Sequence, residues 1–338
     1  MTNLSLCSGY GGLDLAVEQI TGNKTLVYAE SDPYASEVMA ARFPWAVNLG
    51  DIKTADWAGL AHNNTFTTIT AGFPCQDISS AGRRKGITGA RSGIWKNVAQ
   101  AVGVIRPRYV FLENVAAIKA RGLDVVIADL AQIGYDARWT CLRAGDPAVG
   151  NPTPRDRWLC IAYPAAQDPD SAAWRERWAT APGQAESGRA RADLGGRSGV
   201  PASDTNGTAG RLDLAGSGPR PVQGAEVTER QAQQPGRLRG GSGGEVPLAW
   251  GAFEPAIRRW EAVIGRPAPA PTEPGIRGNR RLTPLFVEWL MGCDEGWVTD
   301  LDLPRNKQLK ILGNGVVTRQ AVEGYRRLLC ADIEAMTA

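Results

Sequence analysis

Short aliphatic and β-branched runs alternate with longer stretches of helical periodicity through the first half of the chain. Asn3-Leu4-Ser5-Leu6-Cys7 reads as a strand, and Leu13, Leu15, Ala16, Val17 and Ile20 then share one helical face. Thr25 to Ala29 reads as a second strand, and Pro33 opens a helix through about Phe43. The apolar run Ala46 to Leu49 follows. Phe66-Thr67-Thr68-Ile69 reads as a buried strand, Ile94 to Ile105 as a helix, and Tyr109 to Leu112 as another buried strand. Val125 to Ile133 is a helix, and Ala137 to Leu142 and Trp158 to Tyr163 are strands. The reading is an open α/β sheet, whose ligands gather at the carboxyl ends of the strands.

At about Pro164 the pattern stops. Residues 165–248 are rich in Gly, Ala, Pro, Arg and Gln and poor in large aliphatics, with Trp174 and Trp178 as exceptions. Such a composition reads as flexible or only partly ordered. Apolar residues return at Leu248 to Ile264, and a proline-rich linker, Pro267 to Pro271, follows. Arg280-Arg281-Leu282-Thr283-Pro284 opens a helix, Leu285 to Met291, closed by Gly292. The last element, Gln308 to Val317, runs into a helix through about Leu329. Its apolar face, with Val317, Ala321, Tyr325 and Leu328, is expected to pack back on the sheet. The boundaries expected are 1–164, 165–279 and 280–338.

A chain of 338 residues suffices for one large domain or two smaller ones. No apolar run approaches the roughly 20 residues that span a bilayer. The start of the chain has no basic region before its first strand, so no secretory signal is expected. The six cysteines are scattered and His62, in the polar loop His62-Asn63-Asn64, is the one histidine. This argues against a metal site and against a Ser-His or Cys-His pair, and it fits a reducing, cytoplasmic compartment. The net charge of +3 does not identify a nucleic-acid partner. Arginine far exceeds lysine, which suits phosphate and guanine contacts but equally fits a GC-rich genome.

Candidate chemistry lies at the strand tips. Ser8-Gly9-Tyr10-Gly11-Gly12 is a turn that lets a ligand approach the backbone closely; it is not a dinucleotide fingerprint, because Asp14 breaks the spacing. Glu30, at the end of the second strand, suits a ribose, and Asp51, before Ile52, suits an adenine amino group. Singly, each acid reads as a solvated loop residue; jointly they describe a nucleoside pocket. Thr70-Ala71-Gly72-Phe73-Pro74-Cys75-Gln76 puts a cysteine on a loop after a strand. A buried structural thiol is the commoner fate of a cysteine, but here a nucleophile is the better reading. In the glycine-rich loop that follows, Arg83, Arg84, Lys85 and Arg91 suit phosphates, against the alternative of a solvated charge run. Glu113 tips the strand beside that of Cys75, where burial would keep it protonated as a donor to a base nitrogen. Arg155 and Arg157 alternate in an extended loop, so both face one side.

Taken together, these residues resemble the DNA (cytosine-5-)-methyltransferase family from residue 4 to about 328. Residues 8–12, Glu30 and Asp51 resemble its first three motifs, and Pro74-Cys75-Gln76 its catalytic motif. Glu113-Asn114-Val115 and Arg155-Asp156-Arg157 resemble the next two, Arg281 to Gly292 the ninth, and Gly313-Asn314-Gly315-Val316 the tenth. The resemblance implies an S-adenosylmethionine-dependent methyltransferase fold: a seven-stranded, mostly parallel sheet with helices on both faces and a smaller, partly irregular target-recognition region at 165–279. It implies S-adenosyl-L-methionine as cofactor, held by residues 7–12, Glu30, Ser31, Asp51, Ile52, Pro74 and residues 314–316. Cys7 and Ser31 stand where the family often has aromatic residues, which suggests weaker cofactor binding.

By the same resemblance Cys75 adds to carbon 6 of a flipped-out cytosine, Glu113 engages N3, Arg157 the carbonyl oxygen, and Arg155 orients the thiolate loop. Gln76 and the basic loop would contact DNA, the loop acting as a lid. The partners implied are double-stranded DNA and, as a candidate, a cognate restriction endonuclease. A monomer without membrane attachment, in a bacterial or phage-infected cell, is expected. The alternative within the family is a tRNA cytosine-5 methyltransferase; the long insert after residue 164 favours DNA. An inactive DNA-binding relative is disfavoured by Cys75, Glu113 and Arg157 together, and a nicotinamide oxidoreductase by the glycine spacing.

Overall fold

In a computed structural model of the chain, residues 1–74, 93–165, 250–275 and 278–335 are described, the last five by backbone alone. The strands are β1 (Thr2–Leu6), β2 (Lys24–Ala29), β3 (Val47–Asn48), β4 (Thr68–Gly72), β5 (Tyr109–Val115), β6 (Tyr135–Arg143) and β7 (Asp156–Pro164). They form one sheet in the order β3-β2-β1-β4-β5-β7-β6. β1 to β5 run parallel, and β7 pairs antiparallel with both β5 and β6. The chain leaves β1 toward β2 on one side and later resumes at β4 on the other. That reversal opens a crevice at the carboxyl ends of β1 and β4, where open sheets bind ligands.

The helices α1 (Gly12–Thr21), α2 (Pro33–Arg42), α3 (Trp57–Asn63), α4 (Gly93–Ile105) and α5 (Leu123–Gln132) alternate with the strands. After residue 250 come α6 (Glu254–Ile264), the hairpin β8 (Thr272–Pro274) and β9 (Arg280–Leu282), then α7 (Pro284–Met291), α8 (Arg305–Asn314) and α9 (Thr318–Ala335). β5 shows why helices cover both faces. Its residues point alternately to opposite sides. Val110 and Leu112 join Trp95, Val98 and Val102 of α4 and Leu130 of α5. Tyr109 and Phe111 join Val17 of α1 and Val322 and Tyr325 of α9. A third cluster sets Trp260 of α6 against Trp289 of α7 and Leu312 of α8. No helix among the described residues is long and apolar enough to cross a membrane.

Four local expectations are corrected. His62 lies in the last turn of α3, not in a loop; Asp56 caps that helix through Gly59 N (3.0 Å), and Trp57 anchors it in the core. Asp156 and Arg157 belong to β7 rather than to the loop before it. Residues 280–282 form a strand before the helix opens, and Thr283 is the helix cap, accepting from Phe286 N. The segment 308–317 divides: α8 ends at Asn314, Gly315 is extended, and α9 begins at Thr318.

Candidate active site

The crevice is a cavity of about 590 Å³, within the usual range for small-molecule sites. Its first wall follows β1. Cys7 has φ 55 and Gly9 φ 59, so the chain passes through left-handed backbone there. For a cysteine that conformation is strained, and such strain concentrates at functional sites. Cys7 N donates to Ala29 O (2.9 Å), holding β1 and β2 together at their tips. Gly11, φ 83, precedes α1; a Cβ there would sit 2.5 Å from the Phe43 ring, so only glycine fits.

Glu30 fastens the turn. Its Oε2 accepts from Gly9 N (2.9 Å) and its Oε1 from Asp32 N (2.8 Å). Burial raises its pKa, and these backbone donors offset part of the rise. Burial, then Glu30, then Asp51 push the Cys7 thiol up to about 12, so Cys7 is a neutral thiol and not a nucleophile. The influence of both acids on one sulfur places them around one space. Asp51 itself accepts from Lys53 N (3.0 Å).

The C-terminal segment closes the cavity from above. The Tyr10 hydroxyl donates to Val316 O, and Trp297 Nε1 donates to Tyr10 O (2.9 Å). A Cβ at Gly315 would collide with the Tyr10 ring. Arg155 donates to Gly313 O (2.8 Å) and to Gly315 O. Burial first, and Arg157 second, lower the Arg155 pKa to about 10.

The far end holds Glu113 and Arg157. Glu113 pairs with Gly72 of β4 and with Leu159 of β7. Arg157 Nε lies 2.7 Å from Glu113 Oε1, yet Oε1 has no well-aligned hydrogen bond. The two side chains form a close ion pair at the cavity wall. Burial raises the Glu113 pKa; Arg157 and then Arg155 pull it back. Asn114 Nδ2 donates to Phe73 O (3.2 Å), fixing the chain just before Pro74.

Of the residues singled out from the sequence, Cys7, Ser8, Gly9, Tyr10, Gly12, Glu30, Ser31, Asp51, Ile52, Pro74, Asn314, Gly315 and Val316 line this cavity with Glu113 and Arg157. Gly11 and Arg155 stand behind its wall. Arg155 grips the 313–315 carbonyls; the loop it was expected to orient begins at residue 75. Cys75, Gln76, Arg83, Arg84, Lys85 and Arg91 lie outside the described residues. The sequence did not single out Asn114 as the tie to Phe73, Asp14 in the cavity floor, or Lys310, which pairs with Asp32 at 2.8 Å. Buried polar residues beside glycine turns were the available signal.

Compared with known families, residues 1–214 match the C-5 cytosine-specific DNA methylase family. The chain belongs to that family. Among curated relatives, this chain is 30% identical over 170 residues to Type II methyltransferase M2.BsuMI of Bacillus subtilis (strain 168), covering 48% of this chain and 42% of that protein. It is 31% identical over 165 residues to Type II methyltransferase M.NlaX of Neisseria lactamica, covering 47% and 51%. The chain thus spans about half the length of the curated relatives it matches. Among solved structures, S. pombe Dnmt2 methyltransferase aligns with TM-score 0.55 and 16% identity over 98% of this chain and 99% of that one, a likeness of fold.

Proposed function

We propose that this chain is a DNA (cytosine-5-)-methyltransferase using S-adenosyl-L-methionine. One observation carries the reading: a buried carboxyl ion-paired with an arginine shares a single cavity with a glycine turn flanked by two acids. The residues suit the cofactor. Glu30 and Asp51 answer ribose and adenine donors, and the left-handed turn at Gly9 has open space above it. When bound, S-adenosyl-L-methionine supplies an electrophilic methyl group.

Cytosine carbon 5 is a weak nucleophile. The Cys75 thiolate adds to carbon 6, forming the Sγ–C6 bond and moving the ring electron pair toward carbon 5 and N3. Glu113 engages N3, burial favouring the protonated carboxyl as donor against the pull of Arg157, and Arg157 donates to the carbonyl oxygen where charge gathers. Carbon 5 would take the methyl group as the sulfonium–methyl bond breaks and the donor leaves as the thioether S-adenosylhomocysteine; a base then removes the proton from that carbon, and the Sγ–C6 bond breaks to return the thiolate. Arg155 is a positioning residue, holding Gly315 against the cavity. The target base leaves the duplex first, at a cost of a few kcal/mol. The basic loop after Cys75 serves as lid, with Gln76, Arg83, Arg84, Lys85 and Arg91 toward DNA. Residues 165–279 read the sequence, 1–164 and 280–338 make the catalytic unit, and the protein works as a cytoplasmic monomer, with a restriction endonuclease as candidate partner.

The test offers duplex DNA and tRNA separately with labelled cofactor. Label is expected in duplex DNA at cytosine carbon 5, located by bisulfite sequencing. Label in tRNA alone would refute the substrate assignment, and none in either would refute the activity.

A further inference from the structure

The sheet is short at its β3 edge. Val47 and Asn48 pair with Val27 and Tyr28 of β2, and the backbone bond that follows is Leu49 N to Tyr28 O (2.7 Å). The two acids of the nucleoside end lie past that point, Glu30 after β2 and Asp51 after β3. The ladder ends before either of them.

The side chain of Asn48 takes over where the ladder stops. Its Oδ1 accepts from Glu30 N (3.2 Å) and from Gly50 N (2.9 Å). Its Nδ2 donates to Glu30 O (3.2 Å) and to Ser36 Oγ (3.1 Å). The Ser36 hydroxyl in turn donates to Glu30 O (2.9 Å). Two acceptances and two donations use the full capacity of one amide. They also fix its orientation, because a reversed amide would set its NH2 against two N–H groups and its oxygen against the Glu30 carbonyl. Asn48 thus holds both backbone groups of Glu30, as a further strand residue would. The same oxygen holds the turn at Gly50, whose φ of 76 suits glycine. A side-chain oxygen accepting from the N–H two residues on stabilises such a turn, and this one delivers Asp51.

Glu30, Gly50 and Asp51 line the cavity, and Asn48 stands behind them, exposed at the surface. We propose that Asn48 is a positioning residue for the cofactor, holding Glu30 and Asp51 in register so that ribose and adenine meet both acids at once. The proposal rests on the cofactor reading above: the acids touch the ligand, and Asn48 sets where they stand. Without it both carboxylates remain but are free to drift, and binding through two contacts at fixed spacing loses its preorganisation.

Calorimetry on the full chain compares S-adenosylhomocysteine with S-inosylhomocysteine, in which a carbonyl replaces the adenine amino group and removes the donor to Asp51. The parent is expected to prefer the first by about tenfold, the scale of a hydrogen bond to a charged group. In Asn48→Ala the affinity for S-adenosylhomocysteine should fall about tenfold and that for S-inosylhomocysteine about twofold, which reduces the preference to about twofold. A general loosening of the fold would weaken both ligands alike and leave the preference unchanged. The exposed position means that truncation opens no buried cavity. As a second variant, Asn48→Asp keeps the acceptor for Glu30 N and Gly50 N but loses both donations. It should keep the preference while binding both ligands less tightly. Unchanged S-adenosylhomocysteine affinity in Asn48→Ala, equal losses of both ligands there, or a lost preference in Asn48→Asp would each overturn the proposal. A parent that bound both ligands equally would overturn the Asp51 contact, and this proposal with it. A parent that bound neither would overturn the cofactor reading itself.

Discussion

Glu288 and Asp14 are carboxylates of nearly equal burial in two regions of the molecule. Glu288, on α7, gathers three backbone N–H groups and a hydroxyl from residues 296–299, and every bond ties that turn to the helix. Asp14, under the cavity, gathers donors from Asn3, Thr25 and Thr70 on Oδ1. The first arrangement stabilises the fold. The second leaves one oxygen outside the hydrogen bonds that tie the carboxyl to the strands. Satisfaction of hydrogen bonds, rather than burial, separates the two acids.

The contrast is broken most severely at Glu288. Glu288→Ala strands several buried donors, and hydrogen bonds to charged groups contribute ~1.5–3 kcal/mol each. A loss of about 4 kcal/mol in urea unfolding is expected, with any remaining folded protein still binding nucleoside. Asp14→Asn should act in the opposite direction. The folded carboxyl holds its proton to about 6, against 3.8 as the ordinary value. Between those values the folded state binds more protons than the unfolded one, so stability falls as pH rises through that window and stays lower above it. At ~1.4 kcal/mol per pKa unit this costs about 3 kcal/mol at neutral pH. The amide removes the cost, and the ligand-free variant should gain up to about that amount at pH 7.5 and little at pH 3.5. A loss of stability at both pH values would make Asp14 structural, like Glu288.

Gly315→Ala sharpens the boundary between the regions, because Gly315 belongs to the C-terminal segment yet faces the cavity. Its backbone is extended and tolerates any residue, so the whole effect is the collision with the Tyr10 ring. Overpacking of this kind costs ~1–3 kcal/mol. The melting temperature should fall, and cofactor affinity with it. Wild-type affinity in this variant would show that Tyr10 does not shape the cavity.

Much of this was legible in the sequence. β5 announces itself through Tyr109 to Leu112, and its alternation left Glu113 at a strand tip. Pro33 and Gly292 mark helix ends through backbone geometry that propensity captures. Other features were hidden. The hairpin of β8 and β9 is short and arginine-rich, and Glu273, paired with Arg281 and Arg305, helps to hold it. No hydrophobic pattern records such contacts. α3 depends on one cap and one anchor, Asp56 and Trp57, too little for a periodic signal. Asp14 read only as the residue that breaks the dinucleotide fingerprint. Its real setting comes from Asn3, Thr25 and Thr70, which are separated in sequence and adjacent only in the folded sheet. Arg157 lines the cavity while Arg155 holds the Gly313 and Gly315 carbonyls, partners that sequence spacing could not specify.

In the proposed reaction Cys75 attacks a cytosine that Glu113 and Arg157 hold. The most direct measurement is transfer of labelled methyl to duplex DNA by the parent and by Cys75→Ser, with cofactor affinity measured in both. The account predicts no transfer by the variant, at least a thousandfold drop of the kind that follows loss of a nucleophile (about 4 kcal/mol), with cofactor affinity within about twofold. Turnover by Cys75→Ser at the parent rate would contradict it.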